Sequence, residues 1–171
     1  MRVRSVIVAA VWVVAALAVP ALAIAQQIVY VVRHAERADG GAGTTATPMQ
    51  TPADPLLSAE GEARARKLAA MLADAGIKAI FATEFKRTQD AAKPLAARLG
   101  VTVENVAAAS TAALIAKVRQ HPKEVVLIVG HSNTLPAIIK ALGGPAVTIN
   151  DEYDSLFVVV PASGAVSRIR F

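Results

Sequence analysis

Cysteine is absent from all 171 residues. That excludes disulfides and thiolate-ligated metals, so a stable fold has to rest on a packed core even in an oxidising compartment. It also excludes a lipoprotein leader, whose lipid is attached through a cysteine. Only three histidines are present, and none shares the H-x-x-x-H spacing of a zinc-binding helix. Neither sign of charge dominates, with a formal net charge of +5. Internal repeats are missing, and no break in composition marks a second folded domain.

The first 25 residues stand apart. Arg2 and Arg4 give a basic start, Val6 to Val19 is an almost unbroken apolar run around Trp12, and Pro20 ends it ahead of Ala21-Leu22-Ala23 and Ala23-Ile24-Ala25. A basic start, a short apolar stretch and an A-x-A site are the pattern of a secretory signal peptide. The run falls short of the roughly 20 apolar residues of a spanning helix. Cleavage between Ala25 and Gln26 is therefore expected, with a periplasmic or secreted product and no stable membrane association afterwards. Such a product contains no tryptophan, because Trp12 is the single one. Much of the positive mean hydropathy of +0.47 belongs to this leader. Without Arg2 and Arg4 the balance is 16 basic residues against 13 acidic. That small, evenly spread excess favours anionic ligands weakly and argues against a nucleic-acid partner. Residues 26–171 suffice for one domain burying about 70% of its unfolded surface.

Short β-branched runs alternate with helical patterns along that domain. Ile28 to Val32 reads as a buried strand, followed by a Gly, Thr and Pro-rich loop from Ala38 to Pro55. Ser58 is placed to cap a helix carrying Glu60 and Glu62 in its first turn. Ala65, Leu68, Ala69 and Leu72 form its buried face, and Gly76 follows its end. Ala79 to Ala82 is a second strand, leading into a helix from near Glu84 to Leu99 that Pro94 should bend and Gly100 should end. Val101 to Val103 is a weak strand, Thr111 to Arg119 a helix, and Val125 to Val129 the clearest buried strand. A helix from about Thr134 to Leu142 and two closing strands, Leu156 to Val160 and Val166 to Phe171, complete the chain. Strand–helix alternation predicts an α/β fold, a three-layer αβα sandwich around a mostly parallel sheet.

Two strands end in histidine, as Val32-Arg33-His34 and Val129-Gly130-His131. Ligands of open α/β sheets bind beyond the carboxyl ends of the strands, so both imidazoles should reach one crevice. Arg87, in the first turn of the helix after the second strand, should reach the same edge. Burying Arg33 between Val32 and His34 calls for an anion. The planar fork of arginine matches phosphate oxygens, and helix N-termini add backbone donors.

The segments Arg33-His34-Ala35-Glu36, Lys86-Arg87-Thr88-Gln89 and Gly130-His131-Ser132, in this order, resemble the histidine phosphatase superfamily. The resemblance spans nearly all of residues 26–171, including Leu57-Ser58, in a small compact form without a cap insertion. It implies the phosphoglycerate mutase-like fold and a phosphatase that carries the phosphoryl group on the first histidine. Transferred residue by residue, His34 is the nucleophile, Arg33 and Arg87 clamp the non-bridging oxygens, and His131 contacts them beside the nucleophile. Arg37, three residues after His34, matches a third phosphate-binding arginine of the acid-phosphatase branch. No metal and no cofactor is implied, since the arginines supply the positive charge. Ala35 stands where the family carries glycine, and Ser132 where the acid-phosphatase branch has its acid. The stretch from Thr102 to Ser110 holds only Glu104, unlike the acidic segment of the mutase branch. Glu84 is the leading proton-donor candidate, followed by Glu36. A mutase is disfavoured, because no sizeable insertion encloses a second phosphorylated sugar acid.

The expected partner is a phosphorylated small molecule or a phosphohistidine protein. Two other readings compete. One is a metallohydrolase using His34, Glu36, Asp39 and His131. The other is a non-catalytic phosphate or polyanion-binding module on the same fold, motivated by the missing acid. Away from the strand ends, Asn133 is read as a helix cap, Asp151 to Asp154 as a solvated turn with a pocket rim as the alternative, and Arg64, Arg66 and Lys67 as a solvent-facing helix side.

Overall fold

The computed structural model describes residues 26–40 and 54–171. The leader and most of the 38–55 loop lie outside them. Six strands form one sheet: β1 (Ile28–Arg33), β2 (Ile77–Ala82), β3 (Val103–Asn105), β4 (Val125–Gly130), β5 (Ser155–Val160) and β6 (Ala165–Arg170), in the order β3-β2-β4-β1-β5-β6. The first four are parallel, whereas β5 and β6 run antiparallel and form the closing hairpin.

Alternation along the strands decides which face each side chain covers. Val32, Leu127, Val129, Ile80 and Ala82 join one core with helices α1 (Ala59–Met71) and α2 (Lys86–Leu99). Val29, Val31, Val126, Ile128 and Phe81 point the other way, onto α3 (Thr111–Val118) and α4 (Leu135–Ala141). The result is the αβα sandwich. Among the described residues no helix is long and apolar enough to cross a membrane.

Helix α1 forms as its punctuation predicts. Ser58 Oγ accepts the Gly61 N–H at 3.1 Å, and Ala65, Leu68, Ala69 and Leu72 are buried. Helix α2 starts two residues later than expected, at Lys86; it runs through Pro94, and Gly100 ends it in the left-handed conformation at φ 67°. The third strand also shifts, from 101–103 to Val103–Asn105, because pairing with β2 rather than local apolarity sets it. Asn133 does not cap α4: the cap position is Thr134, which makes no side-chain capping bond to the helix, its hydroxyl instead accepting the His131 N–H at 3.0 Å.

Helix α1 also braces the residues after β1. Ser58 N–H donates to the Glu36 carbonyl at 2.9 Å, and a Cβ on Gly61 would lie 2.3 Å from that same oxygen. Backbone cannot yield as a flexible side chain does. Gly61→Ala should therefore destabilise the fold by about 1–3 kcal/mol, the usual range for overpacking, read as a lower denaturation midpoint with an unchanged denaturant slope. A neutral result would mean that α1 does not press on this loop.

Candidate active site

Strand pairing brings the two histidines together before any side chain is considered. Arg33 lies opposite Gly130 in the parallel register of β1 and β4, and the His34 N–H extends the ladder to the Gly130 carbonyl at 2.9 Å. His34 and His131 thus leave adjacent strands at one level, with ring centroids 5.3 Å apart, edge to face. Both are buried, as are Arg33 and Arg87, none of the four being more than 5% exposed.

Each guanidinium is held by an aromatic ring. Arg33 lies 4.0 Å over the ring of Tyr153 and donates to the carbonyls of Asn150 and Glu152 at 3.3 and 3.4 Å. Arg87, second residue of α2, lies 4.3 Å over Phe85, and its NH1 is 3.5 Å from Asp54 Oδ1. Phe85 also packs against His131, and Tyr153 against His34, with centroids 5.2 and 5.8 Å apart. Among the described residues, Arg87 Nε and His131 Nδ1 are buried without a hydrogen-bond partner. Leaving a buried polar group unpaired costs about 1–3 kcal/mol. A phosphoryl oxygen beside Arg87 would give its Nε an acceptor.

His34 is set up as a neutral nucleophile. Its Nδ1 lies 2.8 Å from the Ala35 carbonyl, which can only accept, so Nδ1 carries the hydrogen and Nε2 keeps its lone pair. Burial lowers the His34 pKa to about 3; the Ala35 bond opposes this, while His131, Arg87 and Arg33 add to the depression. Burial likewise lowers His131 to about 4, helped by Arg87 and Arg33. Arg87 is pulled below its ordinary value by burial first and the charge of Arg37 second.

The other predicted residues are placed differently. Arg37 donates from Nε to Asp39 Oδ1 at 2.9 Å and pairs through NH2 with Asp39 Oδ2. Glu84 is exposed, and its carboxylate accepts the Ala108 N–H at 2.7 Å. Glu36 is claimed by Arg64, whose Nε reaches its two oxygens at 2.7 and 2.9 Å. Arg64 is accordingly not part of a solvated face: its partner Glu36 lies two residues after His34, and its Nη1 also reaches the Phe171 carbonyl. With Glu36 and Asp39 engaged in this way, the four-residue metal set is not assembled. Among the described residues no three His, Asp or Glu side chains are grouped to hold a metal ion.

Five further residues line the site. Tyr153 belongs to the stretch read as a solvated turn with a pocket rim as the alternative, and the folding of 150–153 over Arg33 makes it a wall. Phe85 had one signal, an aromatic placed beside Arg87 at a strand exit. Asp54 ends the loop and takes the Lys86 N–H at 3.0 and 3.1 Å, capping α2 where Phe85 offers no side-chain bond. The backbone donor expected for phosphate at this helix start is thus already occupied. Thr83 and Thr88, buried beside His131, complete the set.

Residues 29–109 match the family described as the histidine phosphatase superfamily (branch 1). No curated protein matches the chain. Among solved structures, a phosphoserine phosphatase from Entamoeba histolytica, in complex with 3-phosphoglyceric acid, is 13% identical with a TM-score of 0.62, covering 85% of this chain and 96% of its own. The mycobacterial glucosyl-3-phosphoglycerate phosphatase is 16% identical at a TM-score of 0.57, covering 77% and 88%. A candidate phosphohistidine phosphatase, SixA, from Agrobacterium tumefaciens is 21% identical at a TM-score of 0.57, covering 84% of this chain and 96% of its own. At such identities the likeness shows a common fold.

Proposed function

We propose, from the match of residues 29–109 to the histidine phosphatase superfamily (branch 1) and the shared fold, that the chain is an exported, metal-independent phosphatase working through a phosphohistidine on His34. One observation carries the reading. The Ala35 carbonyl holds the Nδ1 hydrogen of His34, which leaves Nε2 as the nucleophilic atom beside His131 and two buried guanidinium groups. Nε2 forms a bond to phosphorus as the bond from phosphorus to the leaving group breaks, and Arg33 and Arg87 take the charge of the non-bridging oxygens. Water then attacks the phosphohistidine, the N–P bond breaks, the imidazole regains its lone pair, and phosphate leaves. Export rests on the leader pattern of residues 1–25.

Both carboxylates first considered as proton donors are bound elsewhere, Glu84 to Ala108 N–H and Glu36 to Arg64. Leaving groups that depart without strong acid assistance fit such a site best. Protein phosphohistidine and activated monoesters are therefore the preferred substrates. Purified residues 26–171 should hydrolyse p-nitrophenyl phosphate or a phosphohistidine peptide in EDTA, and an alkaline denaturing quench at early times, which preserves the acid-labile N–P bond, should trap one labelled histidine. Tight phosphate binding with no label and no turnover would instead establish a phosphate-binding module.

A further inference from the structure

Among the described residues His131 Nδ1 is buried without a partner, and its other nitrogen ends a chain of hydroxyl groups that has only one consistent direction. Thr88 Oγ1 lies 2.7 Å from the Phe85 carbonyl and 3.2 Å from the Thr83 carbonyl. Carbonyls only accept, so the single hydroxyl hydrogen of Thr88 points to them. The 2.8 Å contact between the two threonine oxygens must then use the hydrogen of Thr83. Thr83 has none left for His131, and its 2.9 Å contact to Nε2 requires that Nε2 donate. Phe85 N–H, at 3.4 Å, fills the remaining acceptor position of Thr83. Reversing the chain would leave Thr88 Oγ1 and the Phe85 carbonyl 2.7 Å apart with no hydrogen between them. Thr88 is fully buried and Thr83 nearly so, so water is poorly placed to repair that contact.

We propose that Thr83 and Thr88 are positioning residues that lock His131 as its Nε2-protonated tautomer, so that the site takes up one proton whenever it binds a phosphoryl dianion. In that tautomer a neutral His131 offers a lone pair at Nδ1. Opposed to a phosphoryl oxygen, two lone pairs repel. A proton placed between Nδ1 and the oxygen turns the repulsion into a charge-assisted hydrogen bond. The groups facing His131 define when that proton arrives. His34 and Arg33 come from the end of β1, Arg87 and the Phe85 ring from the start of α2, and Arg37 and Asp54 from the flanking loops. Burial, Arg87 and Arg33 keep the ring neutral, and Asp54 opposes them only in part. An incoming dianion reverses the sign of the local field and raises the proton affinity. Linkage then makes dianion affinity fall tenfold per pH unit wherever the free site is neutral and the occupied one holds the extra proton.

The inference rests on the phosphatase reading for its consequences, but its test does not need turnover. Long-range ¹⁵N–¹H NMR of the full domain without ligand should show His131 carrying its hydrogen on Nε2, and His34 on Nδ1. Titration calorimetry with inorganic phosphate, at about pH 8 in two buffers of different ionisation enthalpy, should report close to one proton taken up per dianion. Thr83→Val removes the acceptor and frees His131 to carry its hydrogen on Nδ1. Its proton uptake should fall towards zero and the tenfold-per-unit slope of phosphate affinity should flatten, while Thr83→Ser keeps both. A residue that only packs would give the same uptake as valine or threonine. An Nδ1–H tautomer in the unsubstituted protein, or equal uptake in Thr83→Val, would overturn the relay. Nε2–H with uptake intact but no phosphoenzyme would support the relay and remove only the catalytic reading.

Discussion

Replacing His34 with alanine should abolish the trapped phosphoenzyme and lower kcat/KM by roughly 10⁴-fold or more, the scale seen when an enzyme loses its nucleophile. The loss should sit in the chemical step. Arg33, Arg87 and His131 remain in place, so inorganic phosphate should still bind, and the variant should behave as a binding protein with the original fold. The structure supports that separation. Among the described residues the side chain of His34 makes one hydrogen bond, to the neighbouring Ala35 carbonyl. Its backbone N–H, which does tie β1 to β4 through Gly130, is unaffected by the substitution. Circular dichroism and phosphate titration would therefore match the parent while turnover vanishes. Turnover that survives undiminished would remove His34 as the nucleophile and, with it, the proposed mechanism. Equal loss of phosphate binding and turnover would point instead to a collapsed pocket.

How much of this site could be read before folding depends on what each residue owes to its neighbours in the chain. Arg33, His34 and His131 were legible because a buried β-branched run fixes where a strand ends, and strand ends converge in an open α/β sheet. Leu68 and Leu72 were legible for the same kind of reason, since i and i+4 share a helix face. Local periodicity says nothing about partners more than a few residues away. Glu36 was weighed as an acid, but it is bound by Arg64, 28 residues on, at 2.7 Å. Glu84 lies next to the site in sequence, yet the loop after β3 supplies the Ala108 N–H that turns it aside. Tyr153 has no regular pattern around it, and becomes a wall only because residues 150–152 close over Arg33 through their carbonyls. Threonines at 83 and 88 carry no charge and match no metal or nucleophile pattern. Their role appears only once three oxygen and nitrogen atoms are seen within hydrogen-bond distance. The αβα architecture, by contrast, follows from alternation alone and is present as expected, with the antiparallel hairpin at one edge.

Arg87 offers the sharpest separation between charge and geometry. Arg87→Lys keeps a positive charge but loses the planar fork, the stacking 4.3 Å over Phe85, and the buried Nε that awaits an acceptor. A fall in kcat/KM of about 10² to 10³ is expected, comparable with removing one donor to a developing oxyanion. Arg87→Met should cost more, because Asp54 would then face the phosphoryl group with its carboxylate no longer offset; it pairs with Arg87 NH1 and caps α2 through the Lys86 N–H. Adding Asp54→Asn to Arg87→Met should recover roughly tenfold, since asparagine still caps the helix but carries no charge. Asp54→Asn alone, with Arg87 present, should change kcat/KM far less. Such a cycle is non-additive by about 1.4 kcal/mol, well above the few tenths expected of independent sites. Additive effects would mean that Asp54 and Arg87 do not share the phosphoryl site. An Arg87→Lys enzyme close to the parent would mean that charge alone is used there, and the guanidinium geometry described above would have no catalytic consequence.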